Sequence, residues 1–111
     1  MQINYKIIKK NLIIDFNGEL DHHTASDIRK QVDELYSEKM LHNIILDLDN
    51  LNFMDSSGIG LIMGRYKTVS QNGGKVCLIN ANNRIQKILK MSGILKIVHV
   101  YDNLNEALDN I

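Results

Sequence analysis

Two short, nearly unbroken apolar runs constrain this chain more than anything else in it: Asn43-Ile44-Ile45-Leu46-Asp47-Leu48 and Val76-Cys77-Leu78-Ile79. Each is short for a helix and carries almost no polar alternation. Each therefore reads as a strand covered on both faces, the second beginning at about Lys75. Strands covered on both faces need helices packed on the sheet. A helix between two such strands makes them parallel, joined by a right-handed crossover.

The flanking segments fit that scheme. Tyr5 to Ile8 and Leu12 to Phe16 read as strands, separated by Lys9-Lys10-Asn11, with Gly18 near the end of the second. So short a connection makes them an antiparallel pair, with the first strand at the sheet edge. Thr24 stands where a helix cap belongs, with Asp27 three residues on in capping-box spacing. Ala25, Ile28, Val32 and Leu35 then recur at helical spacing among charged residues. Leu51 to Met54 is expected as a connector. A second helix begins at about Asp55 or Ser56 and runs to about Gln71, where Gly73-Gly74 stops it. Asn82 or Asn83 caps a third, with Ile85, Ile88 and Leu89 inward. After Gly93, Ile97 to Val100 is expected as the last strand. Asn103 and Glu106 have capping-box spacing before a final helix carrying Leu104, Ala107, Leu108 and Ile111. The expected fold is a single α/β domain over residues 1–111. Its sheet is mixed and mostly parallel, with an antiparallel N-terminal edge strand and helices packed against it.

Composition narrows the function. A chain of 111 residues suits one core. Acidic and basic residues balance at 13 each, so the basic excess of a nucleic-acid binder is missing. No basic N-terminal region precedes an apolar run, and no apolar stretch approaches the ~20 residues that span a bilayer. The expectation is a cytoplasmic protein without nucleic-acid partner or membrane span. Cys77 lies in an apolar run and reads as a small core hydrophobe.

The second helix is unusual. Ile59, Ile62, Met63, Tyr66 and Val69 form a stripe expected to face the sheet. Ser57, Gly60, Leu61, Gly64 and Thr68 lie on another face. Glycine inside a helix costs about 1 kcal/mol relative to alanine. Gly60 and Gly64 stand one turn apart and make, with Ser57, a low strip flanked by Leu61. Either the strip lies against the chain's own sheet, or it lets a partner approach closely. If Asp55 caps the helix, Ser57 is its second residue, where free N–H groups and the helix dipole favour negative charge. A phosphate there adds roughly −1.5 to −2 charges without breaking the helix. Ser56 is the competing acceptor, but it points about 100° away from the strip.

Other chemistry is weaker. Asp15, Asp47, Asp49 and Asp55 do not make the adjacent acidic pair of a phosphoaspartate receiver. The Gly-x-Ser-x-Gly elbow of a hydrolase is missing. His22-His23 lack a third ligand at metal-binding spacing, so no metal site is expected. Asp21, His22 and His23 lie in a loop that can border the Ser57 surface. Gly58 and Gly60 resemble part of a phosphate loop but lack its Lys-Ser/Thr, which leaves a weak nucleotide site near Ser57 as a rival reading. No catalytic residue and no cofactor is expected: the chain reads as a binding module, not an enzyme.

Several segments carry a resemblance: Gly18-Glu19-Leu20-Asp21-His22-His23-Thr24-Ala25, Phe53-Met54-Asp55-Ser56-Ser57-Gly58-Ile59-Gly60, Gly64-Arg65-Tyr66-Lys67 and Met91-Ser92-Gly93. Together they resemble the anti-sigma factor antagonists of spore-forming bacteria, in the STAS domain family. The resemblance implies that the unphosphorylated form binds an anti-sigma factor that is also a serine kinase, releasing the sporulation sigma factor. It implies that this kinase, which holds the ATP and ADP, phosphorylates Ser57 and that a serine phosphatase resets it. It implies that Asp21 lies close to that serine and in the partner contact. The expected partner surface is Asp21, His22, His23, Asp55, Ser56, Ser57, Gly58, Gly60, Leu61 and Gly64. A general STAS-type stress-response regulator is the nearest alternative.

Overall fold

The computed structural model describes residues Met1–Ile111. Strand β1 (Gln2–Ile8) returns antiparallel as β2 (Asn11–Leu20), with Ile8 paired to Asn11. Lys9 takes a left-handed φ of 57°, which lets so tight a turn close with the twist of its strands. Helix α1 (Ala25–Glu38) leads to β3 (Asn43–Asp47) and β4 (Leu51–Met54). Then come α2 (Ser56–Gln71), β5 (Val76–Ile79), α3 (Asn83–Ser92), a 3-10 turn (Ile94–Lys96), β6 (His99–Tyr101) and α4 (Leu104–Asn110). The strand order is β1-β2-β3-β5-β6, with every pair after β1–β2 parallel. The fold class expected from sequence is the one found, including the antiparallel edge strand.

The alternation of side chains across the sheet divides the core. Leu12, Ile14, Phe16, Ile44, Leu46, Val76 and Leu78 point to one face, where Ile28 and Val32 of α1, Ile62 and Val69 of α2, and Ile85 and Leu89 of α3 cover them. Ile13, Ile45, Cys77 and Ile79 point to the other, where Ala107 of α4 is buried against them. Both apolar runs are therefore buried on both faces. Each such side chain contributes about 1.5–3 kcal/mol on burial, enough to fix the register of the central strands.

Three local expectations need correction. Leu51 to Met54 is not a mere connector but β4, which pairs parallel with the far end of β2 from Gly18↔Leu51 to Leu20↔Met54. β2 pairs with β3 only from Asn11 to Asp15 and then runs on to β4, where the step from Gly18↔Leu51 to Glu19↔Phe53 leaves Asn52 of β4 as the extra, bulged residue. The last strand is not Ile97 to Val100. Gly93 ends α3 in a left-handed conformation (φ 81°), and the chain makes a 3-10 turn before β6 begins at His99. Thr24 stands at the α1 N-cap position, but its hydroxyl makes no cap hydrogen bond. It donates instead to the Glu19 carbonyl at 3.0 Å, stitching the loop to the end of β2.

The far end of α2 is fixed by contact. Gly73 takes φ 77°, and Gly74 passes so close to His42 that a β-carbon would overlap the His42 carbonyl oxygen. No helix is long and apolar enough to cross a membrane.

Candidate functional site

The start of α2 is built by the ends of β2 and β4. The Asp55 N–H donates to the Leu20 carbonyl at 3.3 Å, anchoring the entry to the helix on β2. The Asp55 carboxylate then accepts the Ser57 N–H at 2.8 Å and so caps the helix. Ser57 is the second residue of α2, as the sequence predicts. Asp55 does the capping, and Ser57 takes part through its backbone N–H; no hydrogen bond within the chain engages its hydroxyl. Gly58 is buried in the angle between α2 and the strands: a β-carbon there would overlap Met54 Cγ and lie 3.1 Å from the Leu20 carbonyl oxygen. Among the residues expected at the partner surface, Gly58 serves close packing instead.

Gly60 and Gly64 have the opposite environment. A β-carbon on either meets nothing within 4 Å. The glycine strip therefore does not lie on the chain's own sheet. It borders an open groove of about 300 Å³ between α1 and α2, with Ala25, Ser26 and Arg29 on one wall and Ser57, Gly60 and Gly64 on the other. Ser56 is outside the groove and exposed.

The expected apolar stripe of α2 is rotated. Met63 is 48% exposed, whereas Leu61, expected to flank the strip on the surface, is 4% exposed and belongs to the core. Leu61 still shows an edge at the groove floor. Arg65 was not singled out by sequence, and it is 6% exposed. Its Nε lies 2.8 Å from Asp33 Oδ1, with the N–H aimed off the oxygen, so the pair is ionic rather than a formed hydrogen bond. Burial pulls the Arg65 pKa down, Asp33 opposes this, and the nearby Arg29 charge adds to the depression. The sequence offered two signals for Arg65: its place one turn beyond Leu61 and its membership of the Gly64-Arg65-Tyr66-Lys67 segment.

The loop before α1 borders the same end. Asp21 Oδ1 accepts the His23 N–H at 2.8 Å and the Thr24 N–H at 3.2 Å. Desolvation pushes the Asp21 carboxyl up, but these hydrogen bonds, the His23 charge and the Thr24 hydroxyl outweigh it, and its pKa lies below the ordinary value. The His22 and His23 rings sit 3.9 Å apart, and His22 Nδ1 lies 3.8 Å from Asp55 Oδ2. The structure thus joins His22 directly to the cap of α2.

Two rival placements fail on geometry. Gly58 and Gly60 lie inside α2 rather than in a loop, so they form no phosphate cradle. The Asp47 carboxylate is engaged by the Asp49 N–H at 3.1 Å and the Asn80 amide at 3.1 Å.

A parallel sheet with an antiparallel edge, and a capped, glycine-lined helix rising from the ends of β2 and β4, define a class that comparison with known proteins places. The STAS domain pattern matches residues 2–107, and the chain belongs to the STAS domain family. It is 42% identical over 111 residues to the anti-sigma F factor antagonist of Paenibacillus polymyxa, covering all of this chain and 95% of that one. A crystal structure of a candidate anti-sigma factor antagonist from Thermotoga maritima superposes with a TM-score of 0.93 at 28% identity, covering 98% of this chain and 93% of that one. The phosphorylated form of the Bacillus cell fate determinant SpoIIAA superposes with a TM-score of 0.75 at 28% identity, covering 98% of each chain.

Proposed function

We propose that this chain is an anti-sigma F factor antagonist that works as a phosphorylation-gated binding module. In its unphosphorylated form it binds, in the cytoplasm, an anti-sigma factor that is also a serine kinase and so frees the sporulation sigma factor. The kinase, supplying ATP, phosphorylates Ser57 and ends the interaction; a serine phosphatase restores it. The observation that carries this reading is the Ser57 hydroxyl. Asp55 has taken over the capping, and the hydroxyl is unpartnered beside an open strip at Gly60 and Gly64. A capping serine is bound to its own helix; this one is available. The identity to the Paenibacillus polymyxa antagonist along the whole chain supports the choice of partner.

A phosphate at this position does not need to unfold anything. The helix N-terminus favours the charge, and the charge lands at the edge of the surface a partner must cover. Inactivation is then local: steric blocking and the cost of desolvating a dianion. Asp21, His22, His23 and Asp55 form the adjoining rim. The test is intact-mass measurement after incubation with the anti-sigma kinase and ATP. Wild type and Ser56→Ala gain one phosphate, Ser57→Ala gains none yet still binds the kinase, and Ser57→Asp binds weakly. Stoichiometric phosphorylation of Ser57→Ala refutes the site.

A further inference from the structure

Helix α1 places one cation on the wall facing Ser57. Ser26 and Arg29, three residues apart on one face of α1, line the same groove as Ser57. Arg29 is exposed and takes part in no ion pair; the chain's ion pairs are His22–Asp55 and Arg65–Asp33. At the groove floor, Arg65 is buried and holds the part-exposed Asp33. The groove lining thus carries two guanidinium groups; Arg65 is paired with Asp33 from outside the lining, and Asp55, beside Ser57, is engaged by the Ser57 N–H and by His22, so Arg29 is the unpaired charge of the groove. The two cations are near enough to depress the pKa of Arg65. Unneutralised repulsion of this kind is relieved when an anion enters. Gly60 and Gly64 place no side chain in the way.

We propose that the groove is an internal receptor for the phosphate on Ser57, in which Arg29 is the principal partner and Ser26 donates a further hydrogen bond, so that the phosphorylated form ties α1 to α2. This rests on the reading of Ser57 as the phosphoacceptor. It adds a second component to the switch. The phosphate both charges the partner surface and fills the groove from within, holding the two helices in one arrangement. Charge-assisted pairing of guanidinium with phosphate is strong and geometrically specific. It also lowers the second ionisation of the phosphate, because a nearby cation stabilises the dianion.

The test uses full-length protein with phosphoserine incorporated at position 57 during translation, so that no kinase is needed. The phosphate is titrated by phosphorus NMR, in wild type, Arg29→Ala, Arg29→Lys and Lys30→Ala. An unperturbed phosphoserine titrates near about 6. The wild-type midpoint is expected lower by at least about half a unit, roughly threefold in proton affinity. Arg29→Ala returns it toward 6, Arg29→Lys keeps part of the shift, and Lys30→Ala, on α1 but outside the groove, leaves it in place. Thermal melting supplies a second reading: phosphorylation raises Tm more in wild type than in Arg29→Ala, where only the helix N-terminus still favours the charge. Equal midpoints for wild type and Arg29→Ala overturn the proposal, as does an equal loss in Arg29→Ala and Lys30→Ala. The phosphoacceptor reading is judged separately, by whether the kinase modifies Ser57.

Discussion

The three glycines at the start of α2 should respond to alanine in opposite directions. Gly60 and Gly64 lie inside a 16-residue helix, and an added β-carbon meets nothing within 4 Å at either position. Each substitution then contributes only the helix propensity difference, about 1 kcal/mol in favour of alanine. Neither added methyl meets another atom within 4 Å, so the double variant should gain up to about 2 kcal/mol, or roughly 4 °C in Tm per substitution. Gly58→Ala differs. Its β-carbon overlaps Met54 Cγ and presses on the Leu20 carbonyl oxygen, and Met54 is itself only 2% exposed. Met54 must repack inside a full core, at about 1–3 kcal/mol, so Gly58→Ala is net destabilising. Urea unfolding followed by circular dichroism measures all three. The same double variant should bind the anti-sigma kinase at least about tenfold more weakly, a loss of ~1.4 kcal/mol, because two methyl groups raise the strip that a partner must approach. Greater stability with weaker binding would identify the glycines as kept for contact. A Gly60→Ala or Gly64→Ala variant destabilised by 1 kcal/mol or more would show that α2 packs through this face, and the groove reading would fall.

Gly74→Ala should cost more than about 3 kcal/mol, since its β-carbon meets the backbone carbonyl of His42, which no side-chain rotation relieves; chemical denaturation measures it. Cys77 is 1% exposed, and burial pushes its thiol up to about 11, with Lys75 opposing weakly. Below its unfolded value of about 8.5 both states hold the proton; between there and about 11 only the unfolded chain releases it. Stability through this group therefore falls across pH 9–11, by about 1–2 kcal/mol after allowance for screening, and Cys77→Val removes that slope. Native protein at pH 8 should resist thiol reagents until denatured. Asp21 works in the other direction: its folded pKa is depressed, so its contribution is complete above the unfolded value of about 4 and disappears as pH falls through the folded one. Asp21→Ala should flatten the acid limb of a stability–pH profile measured from pH 2 to 6.

The parts of this fold legible in the sequence are those decided by a single periodicity. The unbroken apolar runs around Ile45 and Leu78 could only be central strands, and their burial on both faces follows from that alone. What stayed hidden depended on two elements at once. Leu51-Asn52-Phe53-Met54 has only its end residues buried, and it becomes a strand because β2 outruns its pairing with β3 and offers a free edge from Gly18 onward. Ile97-Val98 has strand-forming residues, but the left-handed Gly93 turns the chain into a 3-10 segment first. At the site, Asp55 and Ser57 were readable because capping is local: a carboxylate two residues before a free N–H. The face of α2 was not. Helical spacing counts Leu61 and Met63 as equals, and an arginine is assumed to seek water. Only the approach of α1 decides that Leu61 turns inward, that Met63 stays in solvent and that Arg65 is buried against Asp33. The consequence reaches the proposed switch. Ser57 could be found from its own helix, but the groove it opens into, and the unpaired Arg29 across it, belong to α1 as much as to α2.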